Sequence, residues 1–454
     1  MLNSFPSLYR CGIVFFAVAF VTLGMSAAPA DNPPEVSEKV QTGIAPLQTL
    51  VEAKKWDEAV AMIDGLIKKI DQKSYDCAFL SGFKAQILGS KGDYGAAIEP
   101  LETMLRIGDD QNLFRWARAL PMSEQETLIN LASLYMQDAS TPGKTIEQQR
   151  AAFAQAHIYG RRLAEVKKPT IEAQTMWARI LYSEATIDQS KIDLTLMKQA
   201  AVESEKALYL TVKPKEENYT LWLASLQQLG DNLRCAELLE LLVQKFPNNK
   251  TYWPLLFNTY VAMQGSGDKT VDLAAVIALE RAQAAGQMVS NKDNFMLAGL
   301  YYNIQQYVFA SELLESGLRN GKIDPEQKNW ELLAACYQQM NKEARAIEVF
   351  LEAVKRFPKS SNLELQVGQI YYNNEKHEQA YEHLKAAVNK GLEKPAQTLI
   401  LLSYLSLEAK RLEDALSWAE KAAKADPKSK EAQNIVKVVK DSITERDNFL
   451  KNRK

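Results

Sequence analysis

A pattern of Trp, Leu, a small residue and Tyr, followed by Ala, an aromatic, Ala and Pro, recurs along the C-terminal half of the chain about every thirty-four residues. The clearest copy holds Trp330, Leu333, Ala334, Tyr337, Ala346, Phe350, Ala353 and Pro358. The copy from Ser361 carries Val367, Gly368, Tyr371, Ala380, Leu384 and Ala387 and ends at Gly391. The next, from Ala396, has Leu402, Ser403, Ala415, Ala419, Ala422 and Pro427, so Pro358 and Pro427 lie two periods apart. Upstream, Leu297, Ala298, Tyr301, Ala310 and Leu314 mark a copy from Asn291, and Trp253, Leu256, Tyr260, Leu279 and Ala282 one from Lys250 with an enlarged turn at Gln264–Lys269. A unit of this length cannot bury its apolar face alone, so its neighbours must stack on it.

These residues fall on the positions favoured by the tetratricopeptide repeat, and the segment closely resembles that family. The resemblance implies an all-α fold, a right-handed superhelical solenoid of helix-turn-helix pairs with an extended concave surface. Such surfaces usually hold other proteins. Small residues at the eighth position (Ala298, Ala334, Gly368) and the twentieth (Ala310, Ala346, Ala380, Ala415) are expected where helices approach closely. Tyr301, Tyr337, Tyr371 and Phe350 are expected to fill the spaces between pairs.

Toward the N-terminus a copy near Glu216 ends at Pro247, and residues 123–166 and 170–213 keep helical apolar spacing with longer helices and little of the consensus. Pairs return to form near Val40–Ser74 and Ala78–Asp109. The expected organisation is a signal peptide over 1–30, a leader over 31–39, repeat-like helices over 40–215, a C-terminal array over 216–428 and a capping helix over 429–454. About ten helical pairs result.

Residues 1–30 hold Arg10, an apolar run from Gly12 to Gly24 and the A-x-A site Ala28-Pro29-Ala30, so export to the periplasm with cleavage after Ala30 is expected. The run falls short of the roughly twenty residues a membrane-spanning helix needs. With 54 basic and 56 acidic residues and no basic block, the chain does not suit nucleic acid. Cys77, Cys235 and Cys336, the cysteines beyond the leader, are scattered over separate repeats and imply no disulfide framework.

Binding is expected on the free face of each first helix, at Asn258, Phe295, Tyr302, Asn303, Gln338, Gln339, Gln369, Tyr372, Asn373, Tyr404 and Leu407. Amide side chains both donate to and accept from a peptide backbone, and tyrosine adds rigid amphipathic area, so the set suits an extended polypeptide. Gly299 and Ala335 stand where a carboxylate clamp of the resembled family would want asparagine, so no such clamp is expected. The three histidines include His377 and His383, six apart on different helical faces, and no metal or nucleotide motif occurs. A non-enzymatic chain without cofactor or metal is therefore expected.

The order of features is also similar to exported repeat proteins encoded beside TonB-type energy-transduction systems of Gram-negative bacteria. It covers the leader, the helical pairs, Leu241–Leu256 (LLVQKFPNNKTYWPLL), Gly286–Tyr302 (GQMVSNKDNFMLAGLYY) and the charged last helix. The resemblance implies an accessory of TonB-dependent transport that binds envelope proteins. Two alternatives stand beside it: an envelope-assembly or chaperone-like factor for unfolded outer-membrane proteins, and a peptidoglycan- or polysaccharide-associated module.

Overall fold

A computed structural model describes residues 33–116, 118–264 and 269–451. The expected signal peptide and residues 265–268 of the enlarged turn lie outside the described residues. Among the described residues there are twenty-two α-helices, two short 3-10 turns and no strand. No helix among them is long and apolar enough to cross a membrane. The chain divides into two compact units, the first ending at Leu238 and the second beginning at Leu239.

In the first unit the helices run α1 (Glu38–Ile44), α2 (Leu47–Glu52), α3 (Trp56–Ile67), α4 (Tyr75–Lys91), α5 (Ile98–Asp110), α6 (Glu124–Ala139), α7 (Ile146–Glu165), α8 (Ile171–Ala185), α9 (Leu194–Leu208) and α10 (Glu216–Leu229). The division falls inside α11 (Asn232–Lys245). The first member of the opening pair is broken in two at Ala45-Pro46, because proline lacks the amide that would continue the ladder. The poorly patterned middle does consist of longer helices, with α6 at 16 residues and α7 at 20. Ser123 with Glu126 and Thr145 with Gln148 close reciprocal capping boxes that satisfy the orphan amides at their starts.

The second unit contains α12 (Tyr252–Met263), α13 (Lys269–Ala284), α14 (Asn291–Asn303), α15 (Tyr307–Asn320), α16 (Gln327–Gln339), α17 (Glu343–Arg356), α18 (Ser361–Asn373), α19 (His377–Asn389), α20 (Ala396–Glu408), α21 (Leu412–Ala425) and α22 (Lys430–Lys451). Helix α17 shows how pattern becomes packing. Ala346, Ile347, Val349, Phe350 and Ala353 recur at helical spacing and all are buried, which gives the helix one apolar face. The alanines at the twentieth position have no exposed surface, and a Cβ added to Gly368 would come within 2.7 Å of the Leu384 side chain. The turns between paired helices repeat too. After α14, α16, α18 and α20 a residue in the left-handed region (Gln305, Asn341, Glu375, Lys410) lets the following amide reach back to a carbonyl of the helix's last turn, at 2.8–2.9 Å.

The packing between neighbouring pairs is not purely apolar. Five residues after the close-packed small residue of a second helix stands a glutamate: Glu240 after Cys235, Glu280 after Ala275, Glu315 after Ala310. Each accepts a hydrogen bond from the tyrosine hydroxyl of the following first helix, Tyr260 at 3.2 Å, Tyr301, and Tyr337 at 2.6 Å. The first unit repeats the arrangement, with Glu102, five residues after Ala97, accepting from Tyr135 at 2.7 Å and from Tyr159 at 2.8 Å. Tyr301 and Tyr337, expected as space-fillers, are also clasps. Arginine reinforces two of the clasps, Arg281 on Glu240 and Arg345 on Glu315.

At the junction of α17 and α18 the clasp is absent. Leu351 occupies the glutamate position before Tyr371, and Tyr371 instead stacks on His383 with ring centroids 5.5 Å apart. His383 Nδ1 lies 2.6 Å from Glu364, a buried carboxylate whose other oxygen accepts from Lys390 at 2.7 Å. Burial pushes both Glu364 and Glu315 up, but their hydrogen bonds and cationic neighbours outweigh it and hold both below the ordinary glutamate value. Burial and the adjacent carboxylate raise the phenol of Tyr135 to about 12 and push that of Tyr301 up as well.

Removing one clasp tests its worth. Tyr337→Phe is expected to lower stability by about 0.5–1.5 kcal/mol, whereas Tyr371→Phe, which deletes no carboxylate contact, should leave the denaturation midpoint nearly unchanged. Acid should act on the same groups. Because Glu315 and Glu364 titrate lower folded than unfolded, their stabilisation is complete above the free value of 4.5 and lost as pH falls through their folded values. Melting temperature should therefore drop on acidification below that value, and Glu364→Gln should flatten the drop.

Candidate protein-docking face

The residues expected to bind all lie on first helices of the second unit: Asn258 on α12, Phe295, Tyr302 and Asn303 on α14, Gln338 and Gln339 on α16, Gln369, Tyr372 and Asn373 on α18, and Tyr404 and Leu407 on α20. Helical spacing explains how they escape burial. In α18 the face formed by Leu363, Val367 and Ile370 is buried in the stack, which leaves Gln369, Tyr372 and Asn373 exposed. Asn258, Asn303, Gln338, Gln339 and Tyr404 are exposed as well, whereas Phe295, Tyr302 and Leu407 are half-buried. The exposed amides are therefore available to hydrogen-bond a ligand, while the aromatic rings are partly fixed by their neighbours.

Those neighbours include residues that the sequence reading did not place on this face. Lys328 Nζ sits 5.7 Å from the Phe295 ring centre, joining α16 to α14. Tyr302 meets Tyr307 edge to face at 5.3 Å. His377 stacks on Tyr372 at 5.8 Å and its Nδ1 is 3.0 Å from Glu408 at the end of α20. His377 and His383 both reach α18, His377 through Tyr372 and His383 through Tyr371 and Glu364, while His377 alone also meets α20. Its position in the turn after Tyr372 was the one available signal for the role of His377.

A Cβ added to Gly299 would meet nothing within 4 Å, so no packing demand explains a glycine in mid-helix there. Ala335 holds the equivalent place on α16. Surface depressions lie away from this face, one of about 500 Å³ at α21 and α22 around Lys421 and Ile443, another of about 480 Å³ on α15 around Glu312 and Arg319. No group of three or more His, Cys, Asp or Glu suited to a metal occurs among the described residues. Cys77, Cys235 and Cys336 are buried, and burial raises the thiols of Cys235 and Cys336 to about 11.

Two family models of the tetratricopeptide repeat match, one over residues 331–360 and the other over 365–430. The chain carries tetratricopeptide repeats. The matched stretches contain Gln338, Gln369, Tyr372, Asn373 and Tyr404 of the docking face. No curated protein matches the chain significantly. Among solved structures, the chain is similar to YrrB, described as a repeat protein with an unusual peptide-binding site, at 15% identity, 44% of this chain, 99% of that one and a TM-score of 0.33. It is similar to pilF of Pseudomonas aeruginosa at 17% identity, 48% and 95% coverage and a TM-score of 0.31. The Cut9–Hcn1 structure of the APC/C hetero-tetramer gives 10% identity, 88% and 96% coverage and a TM-score of 0.28. None of these likenesses bears on function.

Gly299→Ala should raise stability by about 1 kcal/mol, because the new methyl enters open space while the unfolded chain loses freedom. A shift of the urea midpoint to higher concentration checks this.

Proposed function

We propose that this tetratricopeptide repeat protein is a non-enzymatic scaffold of the Gram-negative periplasm, binding extended segments of envelope proteins as an accessory of TonB-dependent transport. Export rests on Arg10, the apolar run and the Ala28-Pro29-Ala30 site. The transport role rests on the resemblance of feature order to proteins encoded beside TonB systems. The protein-binding reading rests foremost on the exposed amides of Asn303, Gln338, Gln369 and Asn373, which recur from one first helix to the next beside Tyr302 and Tyr372. A peptide laid along such a row finds backbone partners at each repeat and a ring to cover its side chains.

The test is a crosslinking pull-down from periplasm with tagged protein, comparing the wild type with a variant in which Tyr302, Asn303, Tyr372 and Asn373 are all alanine. The variant is expected to keep its helical content while losing TonB-system proteins. Retained partners would sink the docking face. Recovery of unfolded outer-membrane proteins, or of wall fragments, in place of transport proteins would reassign the partner.

A further inference from the structure

One first helix of the first unit carries a segment of the chain itself on the face that stays open in the second unit. In the pair that begins with α4, Ala85 takes the eighth position and Ala97 the twentieth, at the same interval as Ala334 and Ala346, and all four are fully buried. Gln86 therefore holds the place on α4 that Gln369 holds on α18 and Gly299 on α14, each directly after the eighth-position residue. Tyr75, Gly82 and Gln86 lie along one side of α4 at helical spacing.

The connection from α5 to α6 covers that side. Tyr75 donates its hydroxyl to the carbonyl of Ala119 at 2.5 Å, and Gln86 donates Nε2 to the carbonyl of Pro121 at 3.2 Å. Ala119, Leu120 and Met122 are buried there. A Cβ added to Gly82 would come within 2.9 Å of the Pro121 ring and 2.6 Å of Met104, so the glycine leaves room for that proline to lie against the helix. Both bonds end on main-chain carbonyls. A grip of this kind asks for no amide from the segment, and proline has none to give. Proline also fixes its own φ and restrains the residue before it, so less freedom is lost when such a segment docks.

On the second unit the corresponding face is uncovered. Gln369 is exposed, Tyr372 and Asn373 are exposed one turn farther along α18, and a Cβ on Gly299 of α14 meets nothing within 4 Å. We infer that this face takes a proline-containing, non-helical segment of a partner protein, gripped through its main-chain carbonyls as α4 grips residues 119–122. The inference rests on the protein-docking reading above and narrows the kind of partner. Gln369 takes the part of Gln86, the Tyr372 hydroxyl and the Asn373 amide donate to carbonyls farther along the segment, and Gly299 admits a proline ring as Gly82 does.

Two fluorescein-labelled peptides test this on the full chain by anisotropy, each titrated to about 1 mM. One carries three copies of Ala-Leu-Pro-Met, the sequence of residues 119–122, and the other has alanine in place of each proline. The proline peptide is expected to bind the wild type at least about fivefold more tightly than the alanine peptide. Gln369→Ala combined with Asn373→Ala should weaken it by at least about fivefold. Gly299→Leu, whose side chain enters open space, should weaken it too without lowering the melting temperature. Equal affinity for the two peptides, with both lost in the variants, overturns the proline grip and leaves the docking face standing. Binding that neither variant weakens, as from exchange with the segment on α4, overturns the proposal, and so does no binding of either peptide. The pull-down with the fourfold alanine variant judges the docking face separately.

Discussion

At four junctions a tyrosine hydroxyl donating to a glutamate of the preceding second helix ties one helical pair to the next. Small residues bring helices close, but close apolar contact alone leaves them free to slide. A directional bond from Tyr337 to Glu315, or from Tyr135 to Glu102, selects one register where it forms. Where arginine joins it, at Glu240 and Glu315, the phenol and the guanidinium together partner the half-buried carboxylate. Repeat arrays depend on such nearest-neighbour terms, since no pair is held by contacts farther along the stack.

The junction between α17 and α18 is built otherwise. With Leu351 where glutamate would stand, Tyr371 turns to His383, and the buried charge moves inside the following pair as Glu364 with His383 and Lys390. Burying such a set is favourable only when each charged atom finds a partner, and both Glu364 oxygens do. Polar order within a pair thus takes the place of polar order between pairs.

The candidate docking face is the remainder of this division. Signature residues are consumed by packing, which leaves the outward side of each first helix to vary without cost to the stack. That freedom is why amides and aromatics collect there, and why His377 and Lys328 can join neighbouring first helices across the surface. The pairs from α14 to α21 were legible because the repeat sets the small and aromatic positions directly, whereas the break at Ala45-Pro46 was not. A single proline in a weak copy gives no periodic signal.

By itself, the sequence determined the helical pairs, their order and the exposed candidates on the first helices, because each follows from local periodicity and small-residue spacing. Only the tertiary structure decided what the buried tyrosines bond to, which glutamates are held inside and what covers α4. Glu280 and Tyr301, or Glu102 and Tyr135, meet only once two pairs have stacked. Pro121 likewise comes to lie on Gly82 only in the fold, because the connection that carries it has no periodic pattern. Local pattern governs what each helix can bury, and packing alone governs which polar groups are left to find partners.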